Sequence, residues 1–582
     1  MGDSQLLRQL AQRVLSNHRT VLFGGMILYI PVTLLALAQP LVIGAAVDQG
    51  MQQHDVGVVA QWAGVYLGVV VCCALVEILQ LQLVQLAGQR ILRDLRHQLF
   101  AKAQRLPMAF FSHTPLGKTL ARITNDTQAL GEVFSTGAVA IVSDALFVGS
   151  TLIMLLLVDI HLSWSVLVWM PALALGMWLF RTWTQTAYHR VRSTLAQLSG
   201  TMQECLAGTF TTQLFGQTQK SCLDFQHHNN AHMHAYRRAV LLDAAVYSFV
   251  DAMSFVTTAS VLWFAYGQKQ LGALKMGILI AFIEALGRFF QPLRELSNRY
   301  TVFQSALVCT RRILQFLHLK EEESPKRAAP AIKFTQKLSF ENVCFSYGEE
   351  NVRVLNNVSF SVNKGESIAL VGQTGAGKTT ITKLLYRLYD VTDGKICLDG
   401  IDIRQFSLPS LRHLFNIVPQ EVSIMSATVR DNLCYGCPTV TSQQVWRAIQ
   451  QCQIQGLIER LGGLDAHINA QGENFSMGER QLLALCRALI ANSEILILDE
   501  ATANVDPYTE KHLQIATEKL LTQRTCFIVA HRLNTISRCD RILVFHEGYL
   551  IQQGRHKELL KCGGTYSKLY QLQQQQELLQ TV

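Results

Sequence analysis

The first 300 residues of the chain alternate long apolar stretches with long polar ones, and the remainder has no further stretch of that kind. Six of the stretches reach about 20 residues or more, the length that a helix needs to cross a bilayer. The spans are predicted at residues 21–47, 58–86, 134–158, 162–181, 244–266 and 276–301. The pattern therefore predicts an α-helical six-span membrane domain.

The segments between the spans differ in length and in charge. The long segments, 87–133 and 182–243, carry many Arg and Lys residues, whereas the short segments 48–57 and 159–161 carry none. Basic segments of multi-span proteins tend to stay on the cytoplasmic side. We expect both termini and the long segments to be cytoplasmic, although Lys269 and Lys275 in a third short segment, 267–275, count against this orientation.

The long segments have the pattern of helices. The run "GQRILRDLRHQLFAKAQRL" has apolar residues at helical spacing and continues the second span without a proline. This continuity predicts membrane helices that extend far beyond the bilayer.

The composition of the sequence changes near residue 320. Residues 320–337, "KEEESPKRAAPAIKFTQK", are rich in charge, Pro and Ala and read as a linker between a membrane domain at 1–319 and a second domain at 338–582. In the second domain, apolar runs such as "SIALV" and "EILILD" alternate with helical patterns. That alternation predicts an α/β domain with a mainly parallel sheet.

Composition agrees with the membrane interpretation. Hydrophobic residues make up 49% of the chain and its mean hydropathy is +0.20, which is high for a soluble protein of this length. The net charge of +9 comes from basic residues beside apolar segments, which favours a membrane over nucleic acid. The polar first twenty residues do not indicate a cleavable signal peptide. The single CxxC, Cys434 to Cys437, is a weak metal or disulfide signal, and the cysteines are interpreted as packing residues.

A phosphate-binding loop lies at the end of the "SIALVG" run. It follows the pattern G-x-x-x-x-G-K-[ST] between a predicted strand and a predicted helix, which is the context that this motif requires. Its backbone N–H groups would wrap the phosphates of ATP, the Lys would add a cation, and the last Thr would offer a hydroxyl to Mg²⁺. The predicted ATP-binding residues here are Gly372, Gln373, Thr374, Gly375, Ala376, Gly377, Lys378, Thr379 and Thr380.

Two adjacent acids end a later apolar strand. Asp499 and Glu500 follow the run Ile495 to Leu498. This placement predicts Asp499 at the metal and leaves Glu500 free to polarise a water for attack on the γ-phosphate.

Between the loop and the acids lies "FSMGERQ", and together these motifs make the chain resemble one half of an ATP-binding-cassette exporter, with one membrane domain fused to one ATPase domain. In that family this segment is usually Leu-Ser-Gly-Gly-Gln, and its helix holds the γ-phosphate of ATP bound to the other subunit. The resemblance implies that Ser476 and Gly478 complete a partner's site.

The resemblance also implies roles for single residues. Tyr347 matches the aromatic residue that stacks on adenine, and Gln420 matches the glutamine between the metal and the membrane domain. Asp506 matches a loop that contacts the opposite site, and His531 matches the histidine that touches the γ-phosphate. Segments 117–126 and 204–217 resemble the loops whose short coupling helices press on the ATPase domains.

The segment departs from the family pattern at three residues. Phe475 replaces the leucine, Met477 the first glycine and Glu479 the glutamine, and the ATPase half resembles the multidrug-resistance-associated branch. The chain's own pocket is complete, so the altered residues lie in the part that it offers to a partner. The resemblance implies a dimer and leaves homodimer and heterodimer open, with the heterodimer favoured.

The function implied is ATP-driven efflux of a hydrophobic or amphipathic substrate, drug-like or lipid-like, by alternating access of a dimer in a membrane of the bacterial inner type. A peptide or metal-chelate exporter and an ATP-gated channel or regulator remain as alternatives.

Several polar groups have no role in this scheme. Charged residues fall within the predicted spans, where they either pair between helices or face a watery cavity. Among them are Glu77, Asp144, Asp251, Glu284 and Arg288. A further set, Asp224, His228 and His232, has helical spacing that suits a metal, although a solvated helix face is the commoner meaning.

Overall fold

The structure is a computed structural model, and not every residue is placed well enough to describe. The described residues are 19–51, 55–132, 138–270, 275–322, 333–348, 352–437, 439–469, 472, 475–499, 507–521, 524–529 and 533–580. The chain divides into two compact units. The first contains residues up to Gln104 and Leu116–Leu319, and the second contains Arg105–Pro115 and everything from Lys320 onward.

The first unit is helical throughout its described part. Its four longest helices have 48, 48, 53 and 42 residues. The α-helices of this unit are Arg19–Ile27, Tyr29–Ala46, Val56–Ala103, Leu116–Ala121, Thr127–Glu132, Ala138–Val158, Ile160–Ala207, Thr209–Leu214, Thr218–Gln270 and Met276–Leu317. The short helix Met108–His113, between the third and fourth of these in the chain, belongs to the second unit. Wider π-helical turns at Val47–Met51 and Arg122–Asp126 join some of them.

Among the described residues, six helical stretches are long and apolar enough to cross a membrane, which confirms the six-span prediction. They are Thr20–Met51, Val56–Ala103, Ile141–Val158, Ile160–Ala207, Thr218–Gly267 and Met276–Glu295. A 48-residue helix is about 72 Å long, more than twice the roughly 30 Å of bilayer hydrocarbon. The predicted continuation of the second span into the following segment is therefore present as one unbroken helix, because no proline or glycine pair interrupts Val56–Ala103.

Aromatic and aliphatic side chains form a core among the last three long helices of this unit. Phe282, Leu286 and Phe289 on Met276–Leu317 are fully buried beside Leu162 and Val250 from the two preceding long helices. Burial of each such side chain stabilises the packing by about 1.5–3 kcal/mol when the alternative is water. Within a membrane the gain comes instead from close packing.

The described residues of the second unit form an α/β structure with ten strands. They are β1 Lys337–Ser346, β2 Arg353–Asn363, β3 Ser367–Gly372, β4 Asp393–Leu398, β5 Ile401–Asp402, β6 Phe415–Val418, β7 Ile495–Asp499, β8 Thr525–Val529, β9 Arg541–His546 and β10 Tyr549–Gly554. The larger sheet has the order β10-β9-β3-β8-β7-β6 and is parallel except for β10. This confirms the predicted mainly parallel sheet.

A second, antiparallel sheet with the order β2-β1-β4-β5 was not predicted. Its strand β2 alternates buried and exposed residues, as expected of a sheet with one wet face. The linker expected at residues 320–337 ends inside this sheet, since Lys337 is already the first residue of β1.

Helices cover the larger sheet and join its strands. They are Lys378–Leu385, Leu408–Leu414, Val429–Leu433, Ser442–Gln451, Gln455–Arg460, Met477–Ala491, Pro507–Leu521, Leu533–Ser537, His556–Lys561 and Thr565–Gln580. In a parallel sheet the carboxyl ends of the strands share one edge, which is where ligands of such folds bind. Gly372 ends β3 and Asp499 ends β7, so this edge collects the predicted nucleotide residues.

Candidate nucleotide-binding site

The phosphate-binding loop has the strand–loop–helix form that its sequence predicts. It leaves β3 at Gly372 and enters the helix Lys378–Leu385 through Gly377. Gly375 and Gly377 adopt φ angles of +84° and +98°, a region that favours glycine. A Cβ atom on Gly377 would lie 2.6 Å from Cδ2 of Leu355, and one on Gly372 would lie 2.4 Å from the carbonyl oxygen of Phe545. The glycines are therefore required by conformation and by space.

Lys378 is buried within this loop. Its Nζ donates hydrogen bonds to the carbonyl oxygens of Gly372, at 2.6 Å, and Gln373, at 2.9 Å. Burial lowers the pKa of Lys378, and the charge of Asp499 opposes this shift. The ammonium group is held at the mouth of the loop, where a phosphate would supply the counter-charge that the two carbonyl groups provide only in part.

The two threonines after Lys378 face different surroundings. Thr379 is exposed, whereas Thr380 is buried and its hydroxyl lies 3.1 Å from the hydroxyl of Tyr347. Tyr347 packs edge-on against Tyr389, with 5.2 Å between the ring centroids. Nζ of Lys383 lies 5.3 Å from the centroid of the Tyr347 ring. The predicted adenine aromatic is thus brought to the helix that follows the phosphate loop.

Asp499 and Gln420 follow neighbouring strands of the same sheet. Val418 at the end of β6 pairs with Leu498 on β7, and Gln420 comes two residues after Val418. Gln420 is exposed and Asp499 is partly buried. A carboxylate, an amide oxygen and the free hydroxyl of Thr379 are hard oxygen ligands of the kind that Mg²⁺ takes, so the residues present fit that ion.

The segment "FSMGERQ" forms the start of the helix Met477–Ala491. Ser476 caps it: its Oγ accepts a hydrogen bond from the backbone N–H of Glu479 at 3.2 Å, and Glu479 Oε2 accepts one from the N–H of Ser476 at 2.9 Å. Such a capping box satisfies two free donors at a helix end. The other carboxylate oxygen of Glu479 accepts a hydrogen bond from Nη2 of Arg460 at 2.6 Å.

The three residues that depart from the family pattern have three different environments. Phe475 is buried in the core beneath the helix, which explains why a large apolar residue is accepted there. Met477 is 50% exposed, and the Glu479 side chain is held between the cap and Arg460. Ser476 is exposed and Gly478 is buried, so the pair expected to contact phosphate stands at the free end of the helix.

The Met477–Ala491 helix is tied to the segment that follows Gln420. Arg487 donates hydrogen bonds to the carbonyl oxygens of Asn432, at 2.6 Å, and Ser423, at 2.9 Å. Burial lowers the pKa of Arg487. The two carbonyl acceptors keep its guanidinium in place. Neither Arg460 nor Arg487 was predicted from the sequence, because nothing in the spacing of either arginine marks its partner.

A short helix from the N-terminal half of the chain belongs to the second unit. The helix Met108–His113 lies in Arg105–Pro115, and Tyr389 donates a hydrogen bond of 3.2 Å to Ser112. Tyr389 in turn contacts Tyr347. Segment 117–126, which resembles a loop with a coupling helix, begins after this helix and groups with the first unit. The other predicted segment, 204–217, contains the short helix Thr209–Leu214.

Three predicted residues, Glu500, Asp506 and His531, lie outside the described part of the chain. Their roles remain predictions.

Most of the charged residues within the spans are paired. Arg299 lies 2.9 Å from Asp144 and Arg294 lies 2.7 Å from Asp251, in both cases between helices. Arg288 lies 3.2 Å from Glu284 on the same helix. Among the described residues, no group of three His, Cys, Asp or Glu side chains is placed to hold a metal, and Asp224, His228 and His232 are within that part.

The fold and the site define a class: a multi-span membrane protein with a P-loop ATPase domain on the same chain. The family model described as the ABC transporter transmembrane region matches residues 22–293, and the one described as ABC transporter matches residues 355–503. The chain belongs to the ABC transporter family, and it is an ATP-hydrolysing transporter.

Relatives extend over nearly the whole chain. The probable multidrug resistance ABC transporter ATP-binding/permease protein YheH of Bacillus subtilis is 31% identical over 88% of this chain and 76% of its own length. The ATP-dependent lipid A-core flippase of Syntrophus aciditrophicus is 32% identical over 84% and 82%. A solved structure of a bacterial Atm1-family ABC exporter with ATP bound is similar with a TM-score of 0.78 and 26% identity, covering 95% of this chain and 98% of that one.

Proposed function

We propose that this chain is one half of a dimeric exporter that drives a hydrophobic or amphipathic substrate, drug-like or lipid-like, across a membrane by alternating access. The relatives described as a multidrug resistance protein and a lipid A-core flippase support this substrate class. The ATP-bound exporter structure supports the direction of transport.

One structural observation carries the coupling of ATP to transport. The helix Met108–His113 follows the second span by a few residues, yet it packs in the ATPase unit through Ser112 and Tyr389. From Tyr389 the contacts lead through Tyr347 to Thr380 beside the phosphate loop. A change at the nucleotide therefore reaches a segment that continues directly into the membrane helices.

Within the proposed site, Gly372–Thr380 hold the phosphates of ATP and Tyr347 stacks on adenine. Lys378 offsets the charge of the β- and γ-phosphates. Thr379, Asp499 and Gln420 are the residues that would hold Mg²⁺, and the ion would neutralise charge that develops on the γ-phosphate. Glu500 takes a proton from the attacking water, and His531 contacts the γ-phosphate as ADP leaves.

The second subunit completes the site. Ser476 and Gly478 of one chain contact the γ-phosphate held by its partner, and Asp506 contacts the opposite site. ATP can drive closure only because it binds the closed dimer more tightly than the open one. Closure turns the membrane cavity outward, and hydrolysis with product release resets it.

The partner is proposed to be a different half-transporter. Met477 and Glu479 alter the part that this chain lends, whereas its own pocket has every expected residue. The lone purified chain should then hydrolyse ATP poorly and become active only with a second half. Robust ATPase and transport by this chain alone would establish a homodimer instead.

The membrane is proposed to be of the bacterial inner type, with both termini cytoplasmic. After reactive native cysteines are replaced, an impermeant thiol label should reach a cysteine placed at Gln53 from outside the cell. A cysteine placed at Gln336 should react only after permeabilisation. The reverse pattern would overturn the orientation.

The test of the function is ATP-dependent uptake into inside-out vesicles, with drugs, lipids, peptides and metal chelates offered in turn. Uptake should require ATP hydrolysis and disappear in a Glu500→Gln variant. Currents through single open channels without net pumping would contradict export.

A further inference from the structure

A tight turn on the surface of the second unit contains the CxxC of the sequence. The backbone N–H of Cys437 donates a hydrogen bond of 2.8 Å to the carbonyl oxygen of Cys434. Gly436 has a φ angle of +83°, which is the value that the third residue of a type II turn requires. A Cβ atom on Gly436 would meet open space, so glycine is needed there for its conformation alone. The backbone therefore places the two cysteines at the first and last positions of one turn.

The turn brings the two cysteines to the separation that a disulfide needs. The first and last Cα atoms of a β-turn lie within about 7 Å, and the Cα atoms of disulfide-linked residues lie about 4.4–6.8 Å apart. Burial raises the pKa of the Cys434 thiol, the charge of Arg430 lowers it, and a negative charge on Cys437 adds to the increase. The two thiols are thus close enough to interact, and Arg430 favours the thiolate form that reacts.

Both thiols of the turn are open to a reagent in solution. Cys434 and Cys437 are partly exposed, and Tyr435 between them is 65% exposed. A reactive cysteine needs this kind of access, whereas a fully buried one is inert. The turn therefore presents two neighbouring thiols at the surface of the ATPase unit.

A second pair of thiols shows what a packing role looks like. Cys452 and Cys486 are fully buried in the core against which Cys434 packs. The contact with Cys452, together with burial, holds the pKa of the Cys486 thiol far above its usual range. Packing explains this buried pair, but it does not explain two accessible cysteines joined by a turn that requires glycine.

The turn is attached to the helix Met477–Ala491. Cys434 is the residue at which the short helix Val429–Leu433 ends. Within that short helix, Asn432 is buried and accepts two hydrogen bonds from Arg487, one at its backbone carbonyl oxygen (2.6 Å) and one at its side-chain oxygen (2.9 Å). Arg487 lies on Met477–Ala491, whose N-terminus is proposed to contact the partner's phosphate. A change in the turn therefore acts close to that helix.

The other end of the short helix is already fixed. The N–H groups of Val429 and Arg430 donate hydrogen bonds to the carbonyl oxygens of Ala466 and Leu464, both at 2.9 Å. Because the start of the helix is held, a new restraint at its end acts on the segment that holds Arg487.

We propose that Cys434 and Cys437 are a redox-sensitive modification site whose disulfide slows ATP hydrolysis. The oxidant is a low-molecular-weight disulfide of the glutathione type. The thiolate of one cysteine attacks a sulfur of this reagent and releases one reduced thiol, and the second thiolate attacks the mixed disulfide and releases another. The two cysteines are oxidised, the reagent is reduced to two thiols, and the cysteine protons pass to the released thiolates.

The expected setting is a compartment in which such a disulfide is transient. In the proposed orientation the turn is cytoplasmic, where thiols are normally kept reduced and a disulfide forms when oxidised thiols accumulate. The inference needs only the ATPase and does not depend on the exported substrate.

The test treats the transporter, purified from membranes with any partner subunit retained, with oxidised glutathione. Peptide mass spectrometry should find Cys434 linked to Cys437 with the loss of two hydrogen atoms, and dithiothreitol should reverse the link. The ATPase rate should fall by roughly threefold and return on reduction. Separate glutathione adducts on the two cysteines, or thiols that stay free, would overturn the proposal.

Variants assign the response to the turn. Cys434→Ser with Cys437→Ser should keep the basal ATPase rate and lose the response to oxidised glutathione. The matched control is Cys562→Ser, at an exposed single cysteine, which should respond like the wild type. If the double variant folds poorly, Cys437→Ala alone should leave a glutathione adduct on Cys434 and no internal disulfide. A double variant that the oxidant still slows would show that another group is responsible.

Hydrogen exchange distinguishes a restraint from damage. In the oxidised protein, the amides of Val429–Leu433 should exchange more slowly by roughly threefold, because the end of this helix is held. Faster exchange, or a disulfide without a change in ATPase rate, would contradict the proposed regulation. A disulfide between two chains through Cys437 would make this cysteine a subunit contact, and the proposal would be wrong. ATP-driven export that oxidised glutathione does not alter would leave the exporter and remove the redox site.

Discussion

Two helix N-termini in the ATPase unit are both expected to contact phosphate, and they are built differently. The helix Lys378–Leu385 follows a loop of glycines with a buried lysine at its mouth. The helix Met477–Ala491 follows an exposed serine and closes its own end with a carboxylate. The N-terminus of the first helix is open to bind an anion, whereas the free N–H groups at the N-terminus of the second helix already contact a carboxylate.

The difference follows from how each end satisfies its free N–H groups. In the phosphate loop no side-chain carboxylate caps the helix, and Gly377 in the left-handed region opens the turn toward the ligand. In the second helix Glu479 accepts from Ser476, and Arg460 balances the charge of Glu479. We infer that a complete phosphate site at the second helix depends on what a partner subunit brings.

The first prediction concerns the hydrolysis step alone and leaves both helix N-termini intact. Glu500→Gln keeps the phosphate loop and the Ser476 helix unchanged and removes the proposed base. Turnover should fall on the order of 10²–10⁴-fold because the attacking water loses its proton acceptor. ATP affinity, measured by calorimetry, should stay the same. Wild-type hydrolysis by the purified variant would show that Glu500 is not the base.

The second prediction concerns the phosphate-binding loop at the N-terminus of the first helix. Lys378→Ala removes the ammonium group and leaves the carbonyl oxygens of Gly372 and Gln373 without their donor. ATP affinity should fall by roughly ten- to a hundredfold, since a charge-assisted contact with phosphate is lost. The matched control is Lys395→Ala, an exposed lysine paired with Glu341, which should bind ATP normally. Equal ATP affinity in the two variants would contradict the role of Lys378.

The third prediction concerns the self-capped end. Arg460→Ala leaves the Glu479 carboxylate unbalanced where the partner's γ-phosphate is proposed to lie. ATPase activity of the assembled transporter should fall by roughly three- to tenfold through like-charge repulsion. Adding Glu479→Gln should restore it, because the neutral amide needs no counter-charge.

The rescue distinguishes charge balance from simple damage. Arg447→Ala, at an exposed arginine on the helix Ser442–Gln451, serves as the control and should have no effect. If the double variant is as slow as Arg460→Ala, Arg460 acts on something other than Glu479.

Sequence reasoning was strongest where a single conformation demands particular residues. The phosphate loop was predicted residue by residue because its glycines and lysine have no substitutes at those positions. The Arg460–Glu479 pair was missed because its members are 19 residues apart in the sequence with no periodic pattern to connect them.

Packing decided what the pattern left open. Phe475 appeared as a departure from the family, and the structure shows it filling the core under the helix. The antiparallel sheet was not predicted, although β1 and β2 are the longest strands of the unit and β2 alternates buried and exposed residues. The membrane charges could be located from the sequence, but which partner of each pair faces outward depends on tertiary contacts.

The smallest expected effect concerns Tyr347, at the adenine end of the nucleotide site. Its hydroxyl group and its aromatic ring have separate roles. The Tyr347 hydroxyl lies 3.1 Å from the Thr380 hydroxyl, whereas stacking on adenine needs only the ring. Tyr347→Phe should therefore keep ATP affinity within about twofold and lower the free energy of unfolding by about 0.5–1.5 kcal/mol. Tyr347→Ala should weaken ATP binding by roughly tenfold, because stacking of a base on an aromatic ring contributes about 1–3 kcal/mol. Calorimetry with ATP and with inorganic triphosphate isolates the ring, since triphosphate has no base to stack. If Tyr347→Ala binds ATP as tightly as Tyr347→Phe, the ring serves only to link Tyr389 with the phosphate-loop helix, and adenine is held by other residues.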